Sequence, residues 1–258
     1  MGIINVTPDS FSGDGLLGDV GAAVELARRF EAEGADILDI GGESSRPEAA
    51  ELDPHAELAR VLPALRAVRE ATALPLSIDT YHASVAQAAL EAGADAVNDI
   101  HGLRHDAAIA TVVADSGCAL LAMHNQRGRP HRDVAADIAA GFAETLRLAR
   151  VAGIEMGRII LDPGFGFGWA PEQNLEMLRR LPELWSLELP LLVGTSRKST
   201  LGFVTGAPVG ERLEATAATV ALSIAGGADV VRVHEVAEMA RAAKVADAVV
   251  RANWRQNL

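Results

Sequence analysis

Three times in this chain a helix-compatible stretch runs into Gly-Ala-Asp and then into a short run in which apolar residues predominate. Glu33-Gly34-Ala35-Asp36 precedes Ile37-Leu38-Asp39-Ile40; Ala92-Gly93-Ala94-Asp95 precedes Ala96-Val97-Asn98-Asp99; Gly226-Gly227-Ala228-Asp229 precedes Val230-Val231-Arg232-Val233. Glycine ends a helix at low cost because it accepts a left-handed backbone, and the run that follows reads as a strand. The glycines at 34, 93 and 227 lie 59 and 134 residues apart. At roughly 30 residues per βα unit, those gaps hold two units and four. A chain of 258 residues with that period has room for eight, the count of a closed (β/α)8 TIM barrel. A doubly wound open sheet is the alternative architecture; eight units in this length favour closure. No low-complexity linker or charge block divides the sequence, so residues 1–258 read as a single domain.

The remaining punctuation fills in the units. Strands are expected at 2–6, 36–40, 75–79, up to 98–99, 118–123, 158–162, 189–194 and 229–233. Helices are expected near 20–33, 55–72, 83–91, 107–115, up to 152, 171–180, 211–225 and 236–251, with long loops at 41–54 and before residue 211.

Bulk properties exclude several classes. The chain is 49% hydrophobic and 22% charged, as soluble globular proteins are. No stretch is long and apolar enough to span a bilayer, and no basic, then apolar leader opens the chain. Cys118 is the only cysteine, which suits a reducing cytoplasm. A formal charge of −12 argues against nonspecific nucleic-acid binding. An anion site must therefore be a local basic cluster on an acidic protein.

In a barrel of this kind catalytic residues stand at the C-terminal ends of the strands. Taken in order, those ends are Asn5, Asp39, Asp79, Asn98, His124, Asp162, the loop Ser196-Arg197-Lys198-Ser199, and Arg232 with His234. The most distinctive is Ile159-Ile160-Leu161-Asp162-Pro163-Gly164-Phe165-Gly166-Phe167-Gly168. Here a buried strand ends on a carboxylate, then glycines allow close backbone approach between aromatic walls. A helix cap plus a tight turn would use the same residues. Asp39, Asp99 and His124 can be read as loop-orienting groups, whereas Asp79, Asn98 and Asp162 can present acceptors and donors to one planar heterocycle. Arg46, Arg197, Lys198, Arg232 and His234 form a basic set able to bind a phosphate-like anion. Other motifs fail: GFGFGW lacks the last glycine of a dinucleotide fingerprint, Glu238 stands where a zinc-protease helix needs its second histidine, and no P-loop or nucleophile elbow occurs. His101 and His105 have helical spacing but no obvious third ligand, and solvated surface is the better reading.

Together these stretches resemble dihydropteroate synthase, a pterin-binding TIM-barrel family. The matching segments are residues 1–12 (MGIINVTPDSFS), 39–47 (DIGGESSRP), 78–80 (IDT), 97–100 (VNDI), 161–168 (LDPGFGFG), 196–199 (SRKS) and 232–234 (RVH), in the family's order. The combination is specific although no single piece is. The resemblance implies a sulfonamide-targeted transferase of folate biosynthesis. It condenses 6-hydroxymethyl-7,8-dihydropterin pyrophosphate with 4-aminobenzoate, giving 7,8-dihydropteroate and pyrophosphate by a dissociative substitution. It further implies that Asp79, Asn98, Asp162 and Lys198 hold the pterin. Asn5 with Mg²⁺, Ser45, Arg46, Arg232 and His234 would serve the pyrophosphate, and Val233 would be a further substrate contact. Phe167, Lys198 and Ser199 would border the aminobenzoate. Lys198, Arg232, His234 and Asp79 are the expected catalytic set, Asn5 the expected metal contact, and a homodimer through the last helices the expected assembly. The loops 7–18 and 41–54 are expected to close over the reactants.

Three departures from the family's pattern stand out. Position 45 is Ser where Thr is common, the first loop reads Ser12-Gly13-Asp14-Gly15 rather than Ser-Asp-Gly-Gly, and the chain is expected to lack the usual N-terminal extension under the barrel. Two rivals share part of the pattern. A pterin-dependent methyltransferase barrel would lack the segment from Asn5 to Phe11 and the Ser-Arg-Lys-Ser turn. A non-catalytic pterin-binding paralogue would have no need of the anion set.

Overall fold

The repeated Gly-Ala-Asp has a physical cause on both sides of the glycine. Gly34, Gly93 and Gly227 take φ of 95°, 105° and 97°, the left-handed backbone that turns the chain out of a helix. The aspartate that follows then ties down the neighbouring strand. Asp95 Oδ2 accepts from the Leu76 N–H at 2.9 Å, and Asp229 Oδ2 accepts from the Leu191 N–H at 3.1 Å. Other aspartates start helices: Asp19, Asp53 and Asp133 accept from backbone N–H groups of the first turn.

The structure, a computed structural model, describes residues 1–7, 19–43 and 51–252. Its units run β1 (Gly2–Asn5), α1 (Val20–Glu33), β2 (Leu38–Gly41), α2 (Pro54–Ala71), β3 (Leu76–Asp79), α3 (Ala83–Glu91), β4 (Ala96–Asp99), α4 (Ala108–Ser116), β5 (Ala119–Met123), α5 (Val134–Ala152), β6 (Ile159–Asp162), α6 (Pro171–Arg179), β7 (Leu192–Val193), α7 (Ser199–Thr205), α8 (Leu213–Ala225), β8 (Val230–Val231) and α9 (Val236–Val250). The first six strands pair in sequence order, all parallel, and β7 pairs with β8. Single bridges, Leu161 to Leu191 and Gly2 to Val233, join the two sheets at both seams. The backbone bonds at those seams are Leu161 N–H to Pro190 C=O at 2.9 Å and Ile3 N–H to Val233 C=O at 3.1 Å. Closure at both seams makes the architecture an eight-stranded α/β barrel, not an open sheet.

Two sequence expectations change. The seventh and eighth strands are two residues each, shorter than 189–194 and 229–233. Pro190 has no N–H to give the ladder, which trims the seam beside β7. The segment before residue 211, expected as loop, contains α7. Arg212 ties it down, donating from Nε to the Ala207 carbonyl at 3.0 Å and from Nη1 to the Arg197 carbonyl at 2.8 Å.

Strand side chains alternate between the barrel interior and the helix layer. Ile4, Leu38, Ile40, Leu76, Ile78, Val97 and Leu120 belong to the main core, together with Phe30, Leu65 and Phe142 from the helices. Burying each such side chain contributes about 1.5–3 kcal/mol. The interior is a separate, graded column. Met1, Ala96, Leu121 and Leu192 cluster low in the barrel, with Ile37, Ile160 and Val230 against them. Two residues further along the even-numbered strands, on the same face, stand Asp39, Asn98, Asp162 and Arg232. An apolar floor thus gives way to a polar layer within one alternation of the pleat.

Candidate active site

Asp39 is the hub of that polar layer. It is fully buried, and one carboxylate accepts from groups on three other strands. The Asn98 Nδ2 lies 3.0 Å from its Oδ2, Arg232 Nε lies 2.6 Å from the same oxygen, and the Ser77 hydroxyl donates to Oδ1. Arg232 also bridges to Asp79, with Nη2 2.7 Å from Oδ2. One guanidinium therefore holds two carboxylates, and their charges raise its pKa despite burial. Burial pushes the Asp79 carboxyl up, to about 7, against the pull of Arg232; the charge of Asp39 adds to the rise.

The β6 loop is built around glycines that could not be replaced without collision. Gly164 N–H donates to Asp162 Oδ1 at 2.7 Å, an Asx turn that fixes the carboxylate. At Gly164, with φ of 78°, an added Cβ would fall 1.9 Å from the His124 carbonyl oxygen. At Gly166 it would fall 2.9 Å from Lys198 Cδ, so this glycine is the channel through which the lysine stem passes. The Lys198 ammonium donates to the Phe165 carbonyl and stands 4.6 Å from the Phe167 ring centroid. The Arg127 guanidinium lies 4.7 Å from the same ring. Burial pulls Lys198 down, to about 8, although the charge of Asp162 opposes this. Burial pushes the Asp162 carboxyl up, with Lys198 and the Gly164 N–H opposing.

These groups face one cavity of about 420 Å³, counting its open mouth. Asp79, Asn98, Asp162, Lys198 and Arg232 supply its polar wall; Ile100, Met123 and Phe167 supply the apolar one. A mostly flat apolar wall with a few convergent polar groups is how a small planar ligand is bound and oriented. Asp162 and Lys198, 36 residues apart in the chain, line the same cavity.

The other expected site residues fall as follows. Asn5 ends β1, half-buried, in register with Gly41 and so one strand from Asp79's neighbour. His234 Nδ1 lies 2.9 Å from the Ser196 hydroxyl, which joins the β8 end to the β7 loop. Ser199 is exposed and opens α7. Val233 is not brought to the cavity: its side chain is buried in the main core, and its backbone closes the barrel. Ser45, Arg46 and most of the loops 7–18 and 41–54 lie outside the described residues. The residues read as loop-orienting behave so in two cases. Asp99 accepts from the His101 and Leu103 N–H groups, and buried His124 pairs with Gln126 at 2.9 Å. Asp39 does more than the sequence suggested, because its partner Arg232 is 193 residues away. The available signal was its place between Leu38 and Ile40, which points it into the barrel.

The chain has relatives that match this layout. A model of pterin-binding enzymes matches residues 1–234. A dihydropteroate synthase of Clostridium beijerinckii is 44% identical over 252 residues, covering 97% of this chain and 94% of that protein. A Clostridium difficile dihydropteroate synthase solved in the presence of pteroic acid superposes with a TM-score of 0.92 at 44% identity, covering 97% of this chain and 96% of that one. A Xanthomonas albilineans dihydropteroate synthase solved with 4-aminobenzoic acid gives 0.90 at 41% identity, covering 96% and 92%. With this coverage and identity, the chain belongs to the dihydropteroate synthase family of pterin-binding enzymes, transferases of folate biosynthesis.

Proposed function

We propose that the mouth cavity holds the pterin of 6-hydroxymethyl-7,8-dihydropterin pyrophosphate, with 4-aminobenzoate entering beside Phe167 and Ser199. The observation that carries this assignment is the convergence of Asp162, Asn98, Asp79 and Lys198 on one apolar-walled cavity. Asp162 accepts from the N–H groups of the aminopyrimidine edge. Asn98, held by Asp39, keeps its carbonyl oxygen available as an acceptor. Lys198 donates to the ring's acceptors from its seat against Phe167.

The carbon–oxygen bond to pyrophosphate breaks ahead of formation of the carbon–nitrogen bond. Positive charge develops on the exocyclic methylene and spreads into the pterin, whose ring faces Asp79 and Asp162. The arylamine nitrogen then attacks and loses a proton. What the site must supply is stabilisation of separating charge, which preorganised groups in a dry cavity do well. His234 is set by Ser196 to meet the departing anion. Arg232 contributes with its charge shared, because Nε and Nη2 already hold Asp39 and Asp79.

Mg²⁺ fits this site in one specific way. Asn5 offers a single neutral oxygen, while Asp39 and Asp79 are occupied by Arg232. That donor set suits a cation whose other ligands are pyrophosphate oxygens and water, as Mg²⁺ prefers. When bound, the ion neutralises the leaving group. We further propose one domain, a cytoplasmic location and a homodimer. Leu222 on α8 and Val245 and Val249 on α9 are 60%, 66% and 80% exposed on two helices that pack together, an apolar face suited to a second copy. Among the described residues no helix is long and apolar enough to cross a membrane.

The test is pyrophosphate release with both substrates in Lys198→Ala. A large loss of kcat/KM for the pterin substrate is expected, since buried ring acceptors are left unpaired. Turnover like that of the unmodified chain removes Lys198 from the site.

A further inference from the structure

His101 and His105, which lack a third ligand in the sequence, acquire neighbours in the fold. Tyr81 packs edge-on against both, at 5.0 and 4.7 Å between ring centroids, and so fixes the His105 ring. Beside them stand His82, at the start of α3, and Glu51, just before α2. The Glu51 Oε1 lies 3.4 Å from His105 Nε2 and 3.8 Å from His82 Nε2. One ligand atom from each of the three residues falls within 4.8 Å of the others. Around a four-coordinate zinc ion with bonds of about 2.0–2.2 Å, neighbouring ligand atoms stand roughly 3.3–3.6 Å apart. Both Glu51 spacings, 3.4 and 3.8 Å, are close to that range, and the third lies within 4.8 Å.

A second observation is independent of those distances. His82 is 8% exposed, and its other nitrogen, Nδ1, lies 2.8 Å from Oε2 of Glu57, which is fully buried. With the hydrogen on Nδ1, the Nε2 lone pair is directed towards Glu51. A carboxylate behind a histidine is the support that metal-bound imidazoles use, since it fixes the tautomer and raises basicity. Glu57 has an unsatisfied oxygen of its own: Oε1 is buried with no hydrogen-bond partner. Glu57 thus keeps an acceptor in reserve behind the imidazole it supports. Its cavity is bordered also by Asp53 and Asp106, which leaves room for water as a further ligand.

We propose that His82, His105 and Glu51 bind one divalent transition ion of the zinc class, with Glu57 supporting His82. Two imidazoles and one carboxylate favour such an ion over magnesium or calcium, which take oxygen donors. The ion joins the end of the β2–α2 connection to the turns before α3 and α4. It thereby anchors a loop beside the active-site mouth without touching the cavity.

The experiment is calorimetric titration of the untagged, chelator-treated full chain with zinc chloride in buffer containing excess Mg²⁺. One zinc per chain is expected. His105→Ala and Glu51→Gln, both changes near the surface, each weaken uptake at least tenfold, while Asp162→Asn in the cavity binds zinc as the unmodified chain does. Pyrophosphate release by His105→Ala, measured with Mg²⁺, stays unchanged. Absence of stoichiometric uptake by the unmodified chain overturns the proposal, and so does equal uptake by the His105 and Glu51 variants.

Discussion

Asp162→Asn separates binding from folding, because the two should move in opposite directions. The Gly164 N–H occupies Asp162 Oδ1 at 2.7 Å. In the amide, the oxygen must keep that bond, since the NH₂ group would oppose another donor. The new Nδ2 is then forced towards the cavity, where a pterin N–H that met a carboxylate meets a donor instead. The loss of a hydrogen bond to a charged group is about 1.5–3 kcal/mol, and stranding a buried donor adds about 1–3 kcal/mol. Even the low end, about 2.5 kcal/mol, is roughly seventyfold in kcat/KM for the pterin substrate. Stability should not fall. Burial raises the carboxyl's pKa in the fold above its unfolded value. Ionised Asp162 therefore costs stability above the folded pKa, and the cost fades as pH drops through it. Asparagine carries no such cost. Steady-state pyrophosphate release with each substrate varied gives the first quantity, and urea unfolding at neutral pH gives the second. A folded variant with pterin kcat/KM within about threefold of the unmodified chain would refute this reasoning.

Three further outcomes follow from the same geometry. Arg232→Met leaves buried Asp39 and half-buried Asp79 without their shared cation, so urea unfolding should show a loss of about 3–5 kcal/mol, part of it restored by adding Asp39→Asn. Lys198, held down to about 8 by burial, should lose its proton on the alkaline side, so pterin kcat/KM falls above that pH and the limb moves outward in Lys198→Arg; a profile flat well beyond it counts against a charged Lys198. Val249→Asp places a charge on the exposed face of α9, and sedimentation should show a dimer for the unmodified chain and a monomer for the variant.

The fold was largely legible because its signals are local. A glycine with positive φ, an aspartate beside it and a buried run after it recur, and each acts within a few residues. Strand ends could be read for the same reason: Asp79, Asn98 and Asp162 close their runs and all reach the cavity. Pairings across the barrel were not legible. Arg232 finds Asp39 and Asp79 only after eight units have closed, and nothing near residue 232 in the chain announces two carboxylates. Val233 shows the limit of motif carry-over, since alternation turns it away from the cavity that its neighbour Arg232 lines. Helix α7 was missed for a related reason. What anchors it is Arg212, reaching back to the carbonyls of Arg197 and Ala207.

Residues from distant units form one pterin site at the barrel mouth, and a crystal structure of the chain with 6-hydroxymethylpterin would show whether they do. The ring is expected between Met123 and Phe167, its aminopyrimidine edge within hydrogen-bond distance of Asp162 and Asn98, and the Lys198 ammonium on a ring acceptor. A pterin bound elsewhere, or one that contacts Asp162 while Lys198 faces away, would contradict it.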